Sequence, residues 1–553
     1  MDSCLTQKIQ VSLPLWQSYT TMPTFKGYTN VTSITPILGE LFGSKPATEG
    51  QLQSDNLFFK TIEFEGSGSS FIQTIGKKGK RKAFCKVTHL LDPIRTAQGF
   101  YTHPEKGERR KKEKADNPMN QAYVDALANY LLGQLRERNI SPHFCLFFGG
   151  FQGIAEKYRY NITDEFESYR KYKDFWAKKH KGLFDLSLSA DDDSDVEDSN
   201  WMLKTPVSSL RSTPFSYTTH RTAKSTRSHI SLDEEILDIS GSIAVELESI
   251  ASIPGEALTT SSVGEDTSDE ESDEESDDGG LNVFVDFKEY PVMLIFQEEM
   301  EGVLDDLLED EEEVGSEQGS PEWEEKWTAW TFQIISALCV AQGVLGFTHN
   351  DLHTNNIVWT ATSEPWLFYK SRDGTVIRVP TFGKLFRLID FGRAIFHVGD
   401  TLFVSDDYEK GGDAEGQYNF GKLLVDGKPE VYPNPSFDLC RYAVSVIDAL
   451  YPDMPAENLE GGILSKEDSW EIRETESPLW NLLWSWLIDE HGKNVLKDED
   501  GSERFPDFDL YSHISAHVKS AKPQEQINKE IFRKYQISAK EVGEWETIYP
   551  LFC

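Results

Sequence analysis

The feature that most constrains this chain is a polar stretch of eight residues between two apolar segments. Residues 349–356 read His-Asn-Asp-Leu-His-Thr-Asn-Asn. They follow a long apolar run with helical periodicity and precede residues 357–359, which predict a short buried strand. A second junction lies at residues 388–392, where an apolar strand-like pair ends in Asp-Phe-Gly. The two motifs, in this order and each in its own context, restrict the fold far more than either would alone.

Both motifs resemble those of the eukaryotic-type protein kinase superfamily. Kinases carry His-x-Asp-Leu-x-x-x-Asn between a helix and a strand, and Asp-Phe-Gly after a later apolar strand. The loop itself and residues 379–383, 435–439 and 504–511 are similar to the Ser/Thr protein kinases of large, nucleocytoplasmic DNA viruses. The resemblance covers residues 57–152 and 283–515 and leaves a long insertion between them.

The resemblance implies an α+β, two-lobed kinase fold with a small β-rich N-lobe and a larger α-helical C-lobe. We expect an irregular lead-in over residues 1–55, the N-lobe over 56–298 and the C-lobe over 299–553. An insertion over residues 152–283 interrupts the N-lobe. Its part 185–280 is acidic and rich in Ser and Thr, and it offers too little apolar surface to offset chain entropy. We therefore predict that this part is largely disordered.

The resemblance also implies roles for individual residues. Asp351 would orient the acceptor hydroxyl and take its proton, and His349 would brace the loop. Asn356 and Asp390 would hold Mg²⁺. Lys86 would contact the α- and β-phosphates of ATP and an acidic partner on the next helix. A lysine among apolar residues of a strand is costly unless it is paired, which favours this role over that of a surface lysine.

The sequence leaves the partner of Lys86 open. Where related viral kinases place a glutamate on the helix after residues 117–118, this chain has Gln121. Asp125 lies one turn later on the same face of that helix. An ion pair with Asp125, a hydrogen bond with Gln121 and reliance on Asp390 are the three alternatives.

Two further segments predict the ATP site. Residues 65–71 form a glycine-rich turn in which Gly66 and Gly68 would let backbone N–H groups approach the phosphates, although Phe71 replaces the third glycine of the kinase pattern. Glu298 and Met300 follow a predicted strand and resemble the kinase hinge. The carbonyl of Glu298 and the N–H of Met300 would meet the adenine edge.

Three more elements are predicted around the motifs. Tryptophans and aliphatic residues at three- and four-residue spacing over residues 322–341 predict an amphipathic helix that leads into the loop. Residues 366–381 alternate about Asp-Gly and predict an added β-hairpin. Asp438 begins an apolar helix, and the resemblance implies that its carboxylate accepts backbone N–H bonds from the loop.

Composition indicates the cellular compartment in which the protein is expected. The net charge is −38, and six scattered cysteines without a Cys-x-x-Cys pair disfavour a zinc site and favour a reducing environment. The first residues show no basic segment followed by an apolar core, so we expect no secretory signal. The longest apolar stretch, residues 334–347, is too short to span a bilayer. We expect an intracellular protein, in the host cytoplasm or the virion if the protein is viral.

The expected partners are protein substrates, basic ones in particular, and no membrane span is expected. The basic segment from Lys106 to Lys114 is most simply a solvated surface, and nucleic-acid binding through it is the lesser alternative. The sequence does not indicate an oligomeric state.

Two departures from the kinase pattern affect catalysis and regulation. His353 stands where Ser/Thr kinases usually carry a lysine that meets the γ-phosphate, and a neutral imidazole supplies less positive charge. Asn350 replaces the arginine that gathers a phosphorylated activation loop in many kinases. Residues 400–415 also contain six acidic side chains that would repel an added phosphate. We therefore expect activity that does not depend on phosphorylation of this segment.

We expect an ATP-dependent Ser/Thr protein kinase. One alternative is a small-molecule phosphotransferase of kinase-like fold, because a similar loop occurs in sugar and antibiotic kinases. Another is a pseudokinase scaffold that binds basic partners through its acidic insertion, an interpretation that Gln121 and the lost third glycine favour and that intact Lys86, Asp351 and Asp390 disfavour.

Overall fold

The structure, a computed structural model, covers most of the chain in several ranges. It describes residues 24–34, 58–64, 66–74, 79–189, 199–205, 210–212, 281–409, 412, 414–418, 424–425, 428–429, 433–466, 471–497, 502–505, 509–544 and 546–552. Most of the predicted lead-in and most of the predicted disordered segment lie outside the described residues.

The described residues form a mixed α+β structure. In chain order, the strands are β1 Tyr28–Ser33, β2 Phe58–Glu63, β3 Gly68–Thr74, β4 Arg81–His89, β5 Phe147–Asn161, β6 Asp185–Ser189, β7 Asn282–Gln297, β8 Gly302–Val303, β9 Ile357–Ala361, β10 Trp366–Lys370, β11 Val376–Pro380, β12 Lys384–Leu388, β13 Ile395–Val398, β14 Thr401–Val404, β15 Leu424–Val425, β16 Lys428–Pro429, β17 Ile463–Lys466, β18 Glu471–Arg473, β19 Gln536–Ile537 and β20 Ile548–Pro550.

The helices are α1 Pro93–Ala97, α2 Lys106–Ala115, α3 Gln121–Glu137, α4 Thr163–Tyr169, α5 Lys173–His180, α6 Leu304–Glu309, α7 Glu311–Val314, α8 Pro321–Leu345, α9 Phe437–Leu450, α10 Pro478–Trp486, α11 Asp509–His517 and α12 Pro523–Gln526. Short 3₁₀ helices lie at Asn200–Leu203, Thr354–Asn356, Asp406–Tyr408, Glu530–Tyr535 and Ala539–Glu541.

The largest sheet of the described chain has the strand order β1-β5-β7-β4-β3-β2, and β6 also pairs with β7. All of these neighbours are antiparallel. Side chains of β7 alternate between two cores, as the pleat requires. Met293 and Ile295 pack in the core that contains α3, whereas Leu294 and Phe296 pack with Phe25. The sheet is therefore covered by a helix on one face and by an aromatic layer on the other.

The sheet extends into the range predicted as the insertion, residues 152–283. Residues 152–161 continue β5, and residues 185–189, assigned by composition to the disordered part, form β6. Alternating residues of β5 and β7 bury a second core with the aromatic residues of α4 and α5. Its members include Tyr158, Tyr160, Val285, Phe287, Phe166, Phe175 and Trp176. The partner strands are separated by the whole insertion, so periodicity alone did not reveal their pairing.

Helix α8 is the longest helix of the described residues, and most of it is buried in the largest hydrophobic core. The Ser320 hydroxyl accepts the N–H of Trp323 (3.2 Å) and caps its start, and Gly346 ends it with φ of +60°. The predicted tryptophan stripe is buried. Among the described residues, α8 is the one helix long and apolar enough to cross a membrane, but most of it is buried inside the protein. We therefore interpret α8 as a core helix, which is not clear evidence of a membrane span.

The predicted hairpin is confirmed and forms part of a larger sheet. Strands β10 and β11 pair antiparallel from Trp366 opposite Pro380 to Lys370 opposite Val376. Strand β19 adds to one edge of the hairpin, and β20 adds to the other. The sequence did not indicate these two short strands.

Candidate functional site

The antiparallel pairing of β9 with β12 brings the two motifs together. Ile357 lies opposite Leu388, and the N–H of Ile389 donates to the carbonyl of Asn356 (3.0 Å). Asp390, the next residue, therefore emerges beside the loop that carries Asn356. Strand register thus explains how motifs far apart in the chain share one site.

Two side chains fix the backbone of this loop. The fully buried carboxylate of Asp438 accepts the N–H groups of His349 and Asn350, both at 2.9 Å, as the resemblance implied. His349 Nε2 donates to the carbonyl of Ile389 (2.8 Å). The loop is therefore tied both to the first turn of α9 and to the segment that ends in Asp390.

Asn350 connects the loop to the segment that follows Asp390. Its side-chain amide donates to the hydroxyl of Thr348 (3.0 Å) and to the carbonyl of Arg393 (3.1 Å), and its oxygen accepts from the hydroxyl of Tyr418. Its φ is +65°, a left-handed conformation that asparagine adopts more readily than most residues. A neutral side chain thus makes this connection at a position where many protein kinases have an arginine.

Asp351 carries the carboxylate predicted to act on the acceptor. The hydroxyl of Tyr511 donates to its Oδ1 (3.2 Å), and the guanidinium of Arg393 is 3.6 Å from the same oxygen. Burial by itself raises the pKa of Asp351, but Arg393 and the other neighbouring basic groups together outweigh burial and bring the pKa below its ordinary value. The group is therefore ionised at neutral pH, as a proton acceptor must be.

Asn356 and His353 hydrogen-bond within the loop. Asn356 Nδ2 donates to the carbonyl of Asp351 (2.9 Å) and to His353 Nε2 (3.1 Å), which leaves its amide oxygen as the atom that can bind a cation. Burial lowers the pKa of His353 to about 4, so the imidazole is neutral and can accept this bond. His353 therefore supplies no positive charge where Ser/Thr kinases usually carry a lysine.

Lys86 forms two ion pairs. Its Nζ is 2.7 Å from Asp125 Oδ2 and 2.7 Å from Asp390 Oδ1. Gln121 instead hydrogen-bonds with the imidazole of His89. Of the three alternatives, the structure selects Asp125 and Asp390 together. Burial alone lowers the pKa of Lys86, but the two carboxylates raise it above its ordinary value.

Asp125 and Asp390 are themselves positioned by backbone contacts. Asp125 Oδ1 accepts the N–H of Phe391 (2.9 Å), so one helix carboxylate holds both Lys86 and the Asp-Phe-Gly segment. Asp390 has φ of +62°, which is uncommon for a residue with a Cβ. Burial raises the pKa of Asp390, but Lys86 more than compensates, so the pKa falls below its ordinary value. Its carboxylate is therefore available as an oxygen ligand.

The glycine-rich turn lies beside the part of β4 that carries Lys86. Gly68 begins β3 opposite Cys85, the neighbour of Lys86. Gly66 and Gly68 have φ of +120° and +107°, which a side chain would strain. A Cβ on Gly68 would meet no atom within 4 Å, so the space in front of this backbone is open.

The segment predicted as a hinge connects β7 to β8. The buried guanidinium of Arg387 is 3.0 Å from the Glu298 carboxylate and 3.0 Å from the sulfur of Met300, and its Nε donates to the carbonyl of Pro142 (3.2 Å). The side chains of Glu298 and Met300 are therefore both held by one arginine of β12.

Sequence reasoning missed two residues that contact the site. Tyr511 lies in a segment, residues 504–511, that was noted only for its likeness to viral kinases, and its distance in sequence from Asp351 hid the contact. Arg387 is an arginine inside an apolar strand. The same signal that singled out Lys86, a charge among apolar residues, was available for Arg387.

A second group of possible metal ligands lies at the surface. Glu490, His491 and His517 place one ligand atom each within 4.8 Å of one another. Glu490 accepts a hydrogen bond from His517 (2.8 Å), and two of the three side chains are exposed. As it stands, this group is a hydrogen-bonded cluster at the surface.

A scan against models of protein families and a search of curated proteins both found no match.

Proposed function

We propose that this protein is an ATP-dependent protein kinase that transfers the γ-phosphate of Mg-ATP to Ser or Thr hydroxyls of proteins. One observation carries the proposal: Lys86 Nζ is 2.7 Å from both Asp125 and Asp390. This contact joins a strand lysine, a helix carboxylate and the Asp-Phe-Gly motif, next to a loop that presents Asp351 and Asn356. Protein kinases need these parts together before transfer can occur.

The same proposal assigns the α+β architecture to a two-lobed kinase fold. Residues 56–298 would form the N-lobe around the largest sheet, and residues 299–553 would form the C-lobe around α8. The resemblance of the motifs supports a relationship with the Ser/Thr kinases of large DNA viruses, and an intracellular location in host or virion would follow from it.

The side chains of the site fit a magnesium nucleotide. Mg²⁺ prefers oxygen ligands, and the ionised Asp390 and the amide oxygen of Asn356 offer them on two segments joined by the backbone bond between Ile389 and Asn356. The open space at Gly68 would accommodate phosphates, and Lys86, beside the strand partner of Gly68, would supply positive charge there. Bound Mg²⁺ would neutralise charge on the phosphate groups.

The protein's own residues would position the acceptor. Asp351 Oδ1 is engaged by Tyr511 and lies near Arg393, whereas Oδ2 faces His353 at 3.9 Å. We expect Oδ2 to orient the acceptor hydroxyl and take its proton. The carboxylate needs little rearrangement because these contacts already fix it, and such preorganisation is a large part of catalysis.

The test is direct phosphoryl transfer. The full chain would be incubated with Mg²⁺, labelled ATP and three classes of acceptor: basic proteins, acidic proteins and small alcohols including sugars. We expect label on Ser or Thr of protein acceptors. Label on small molecules alone would favour the small-molecule phosphotransferase, and nucleotide binding without transfer to any acceptor would favour the pseudokinase.

Matched variants assign any transfer to this site. Asp351→Asn and Asp390→Asn keep the size of each side chain, and each is expected to lower kcat by about a thousandfold or more. Circular dichroism and melting temperature should stay near those of the parent. Near-parental turnover in either folded variant would show that the site is wrongly assigned.

A further inference from the structure

The carboxylate of Asp406 is buried against the start of helix α3. Only 3% of the Asp406 side chain is exposed. Lys114 Nζ is 2.7 Å from Oδ2, the side-chain amide of Asn117 donates to the same oxygen (3.1 Å), and the backbone N–H of Gln121 donates to Oδ1 (3.0 Å). Its own N–H donates to the carbonyl of Met119 (2.7 Å). Four bonds thus join one residue of the segment after Asp390 to the end of α2, to the connection between α2 and α3, and to the first residue of α3.

These contacts satisfy groups that a helix start leaves open. The first N–H groups of a helix lack partners within the helix, and negative charge is favourable there. The side chain of Asn120 accepts the N–H of Ala122 (3.0 Å), and Asp406 accepts that of Gln121. Lys114, predicted as part of an exposed basic segment, is instead turned toward Asp406.

The anchored helix is the one that carries Asp125. Asp125 lies one turn beyond Gln121 and is 2.7 Å from Lys86. A shift of α3 by a fraction of a turn would separate this pair, because an ion pair at this distance has little room for displacement. The position of Asp406 therefore bears directly on Lys86.

The hydroxyl groups around Asp406 are already engaged. Ser405 is buried, and its hydroxyl accepts the N–H of Asp407 (3.3 Å). The buried Tyr408 donates its hydroxyl to the carbonyl of Arg393 (2.7 Å). The segment is thus held against α3 and the loop by unmodified side chains.

We propose that Asp406 is a positioning residue that holds α3 so that Asp125 reaches Lys86, without any modification of the chain. Its importance for transfer rests on the proposed kinase function, but the anchoring of α3 can be measured without activity. Asp406→Asn keeps the size and removes the charge that faces Lys114. Asp406→Glu keeps the charge, and Asp400→Asn changes an exposed carboxylate of the same segment.

The experiment uses phosphatase-treated protein made in bacteria, with the segment shown unmodified by mass spectrometry. We expect the parent to transfer phosphate without a lag. We expect Asp406→Asn to lower kcat/KM for ATP by about tenfold or more and Asp406→Glu to lower it less. Amide hydrogen exchange across residues 117–130 should accelerate in Asp406→Asn. Asp400→Asn should match the parent in both measurements.

A purely structural role would give a different result. It would lower the melting temperature of Asp406→Asn while kcat/KM, measured well below that temperature, stayed unchanged, and that outcome would overturn the proposal. Unchanged exchange in α3 would overturn it as well. If Asp406→Asn does not fold, Asn117→Ala removes one of the bonds to Asp406, together with the bond that the Asn117 side chain accepts from the N–H of Met119, and should show smaller changes in the same directions. Faster exchange in a protein whose parent shows no transfer would support the anchor and count against the kinase function.

Discussion

The two oxygens of the Asp351 carboxylate have different surroundings. Oδ1 accepts the hydroxyl hydrogen of Tyr511, whose oxygen in turn accepts from Arg441 Nε (2.8 Å). Oδ2 is 3.9 Å from Nε2 of the neutral His353. Under the proposed function, this asymmetry would leave Oδ1 to fix the orientation of the carboxylate and Oδ2 to accept the proton. It also explains why a tyrosine far along the chain belongs to the candidate site.

Replacing Tyr511 by phenylalanine tests this division. Tyr511→Phe removes one bond to Asp351 and keeps the packing of the ring, so we expect kcat to fall by about three- to tenfold, with little change in KM for ATP. Tyr442→Phe is the matched control, since that buried hydroxyl contacts Thr331. Equal rates for the two variants in a steady-state assay would refute a role for Tyr511 at Asp351.

At the scale of single residues, the sequence predicted the candidate site residues better than it predicted which side chains they contact. Asp351, Asn356 and Asp390 could be named from motif spacing, and the structure brings them together. The choice of Asp125 over Gln121 depends on the rotation of α3 relative to β4, which no local pattern encodes. That rotation is set by packing and by contacts such as the one at Asp406.

At the scale of elements, local patterns predicted local structure. The helix before the loop and the hairpin over residues 366–381 were visible from periodicity, since each is specified by neighbouring residues. The long β5–β7 pair was not, because its strands are separated by the insertion and its aromatic residues alternate over both strands. Strand β6 was hidden in a segment whose composition, taken as a whole, is polar and acidic.

A pair of deletions tests this revision of the insertion. Replacing residues 213–280 by a short Gly-Ser linker keeps every described contact of the insertion, so we expect the melting temperature to change by no more than about 2 °C. Replacing residues 185–280 also removes β6 and the described residues 199–205 and 210–212. Leu186, Leu188, Met202 and Leu210 of these segments pack on the second core, so the melting temperature should fall by about 4 °C or more. Identical melting curves would mean that these segments contribute nothing to stability.

At the scale of the whole molecule, one buried histidine joins separate parts of the fold. His143 Nδ1 donates to the carbonyl of Phe386 on β12 (2.8 Å), and Nε2 accepts from the hydroxyl of Tyr369 on β10 (2.7 Å). Burial lowers the pKa of His143 to about 3. The bonding pattern requires the neutral ring, because a protonated ring has no acceptor for the tyrosine.

This histidine makes stability depend on pH. The pKa in the folded state is about 3 and that in the unfolded state is ~6.5, so the unfolded chain takes up a proton that the native state excludes. Stability contributed by the neutral ring is complete above pH ~6.5 and is lost as pH falls toward 3. His89, with a pKa lowered to about 3 by burial, acts in the same direction. Between pH 6.5 and 5 we expect each histidine to cost up to ~1.4 kcal/mol per pH unit.

Urea unfolding at pH 7.5 and pH 5.0 measures this effect. His143→Asn should be less stable than the parent at pH 7.5 but should lose less stability on acidification, because one titrating group has been removed. His180→Asn changes a surface histidine at the end of α5 and serves as the control. An equal loss of stability in parent and His143→Asn would contradict the assignment.

The last strands of the chain close the hairpin sheet against the core helix α8. The buried Leu551 donates its N–H to the carbonyl of Lys370 (3.0 Å), directly after β20. A Cβ added to Gly343 of α8 would lie only 2.7 Å from the Cβ of Phe552, so this glycine permits the close approach of the chain end to the helix. Elsewhere in a helix, alanine is favoured over glycine by roughly 1 kcal/mol.

This contact predicts that substitutions at Gly343 and Phe552 have non-additive effects on the free energy of unfolding. Gly343→Ala should destabilise the protein by about 1–3 kcal/mol, because the new methyl group meets Phe552 in a packed region. In a Phe552→Ala background the obstruction is smaller, so the same substitution should be nearly neutral or stabilising through helix propensity. Urea unfolding of the four proteins should therefore give a coupling energy of at least about 1 kcal/mol. Additive effects would show that α8 and the chain end do not meet at Gly343 in solution.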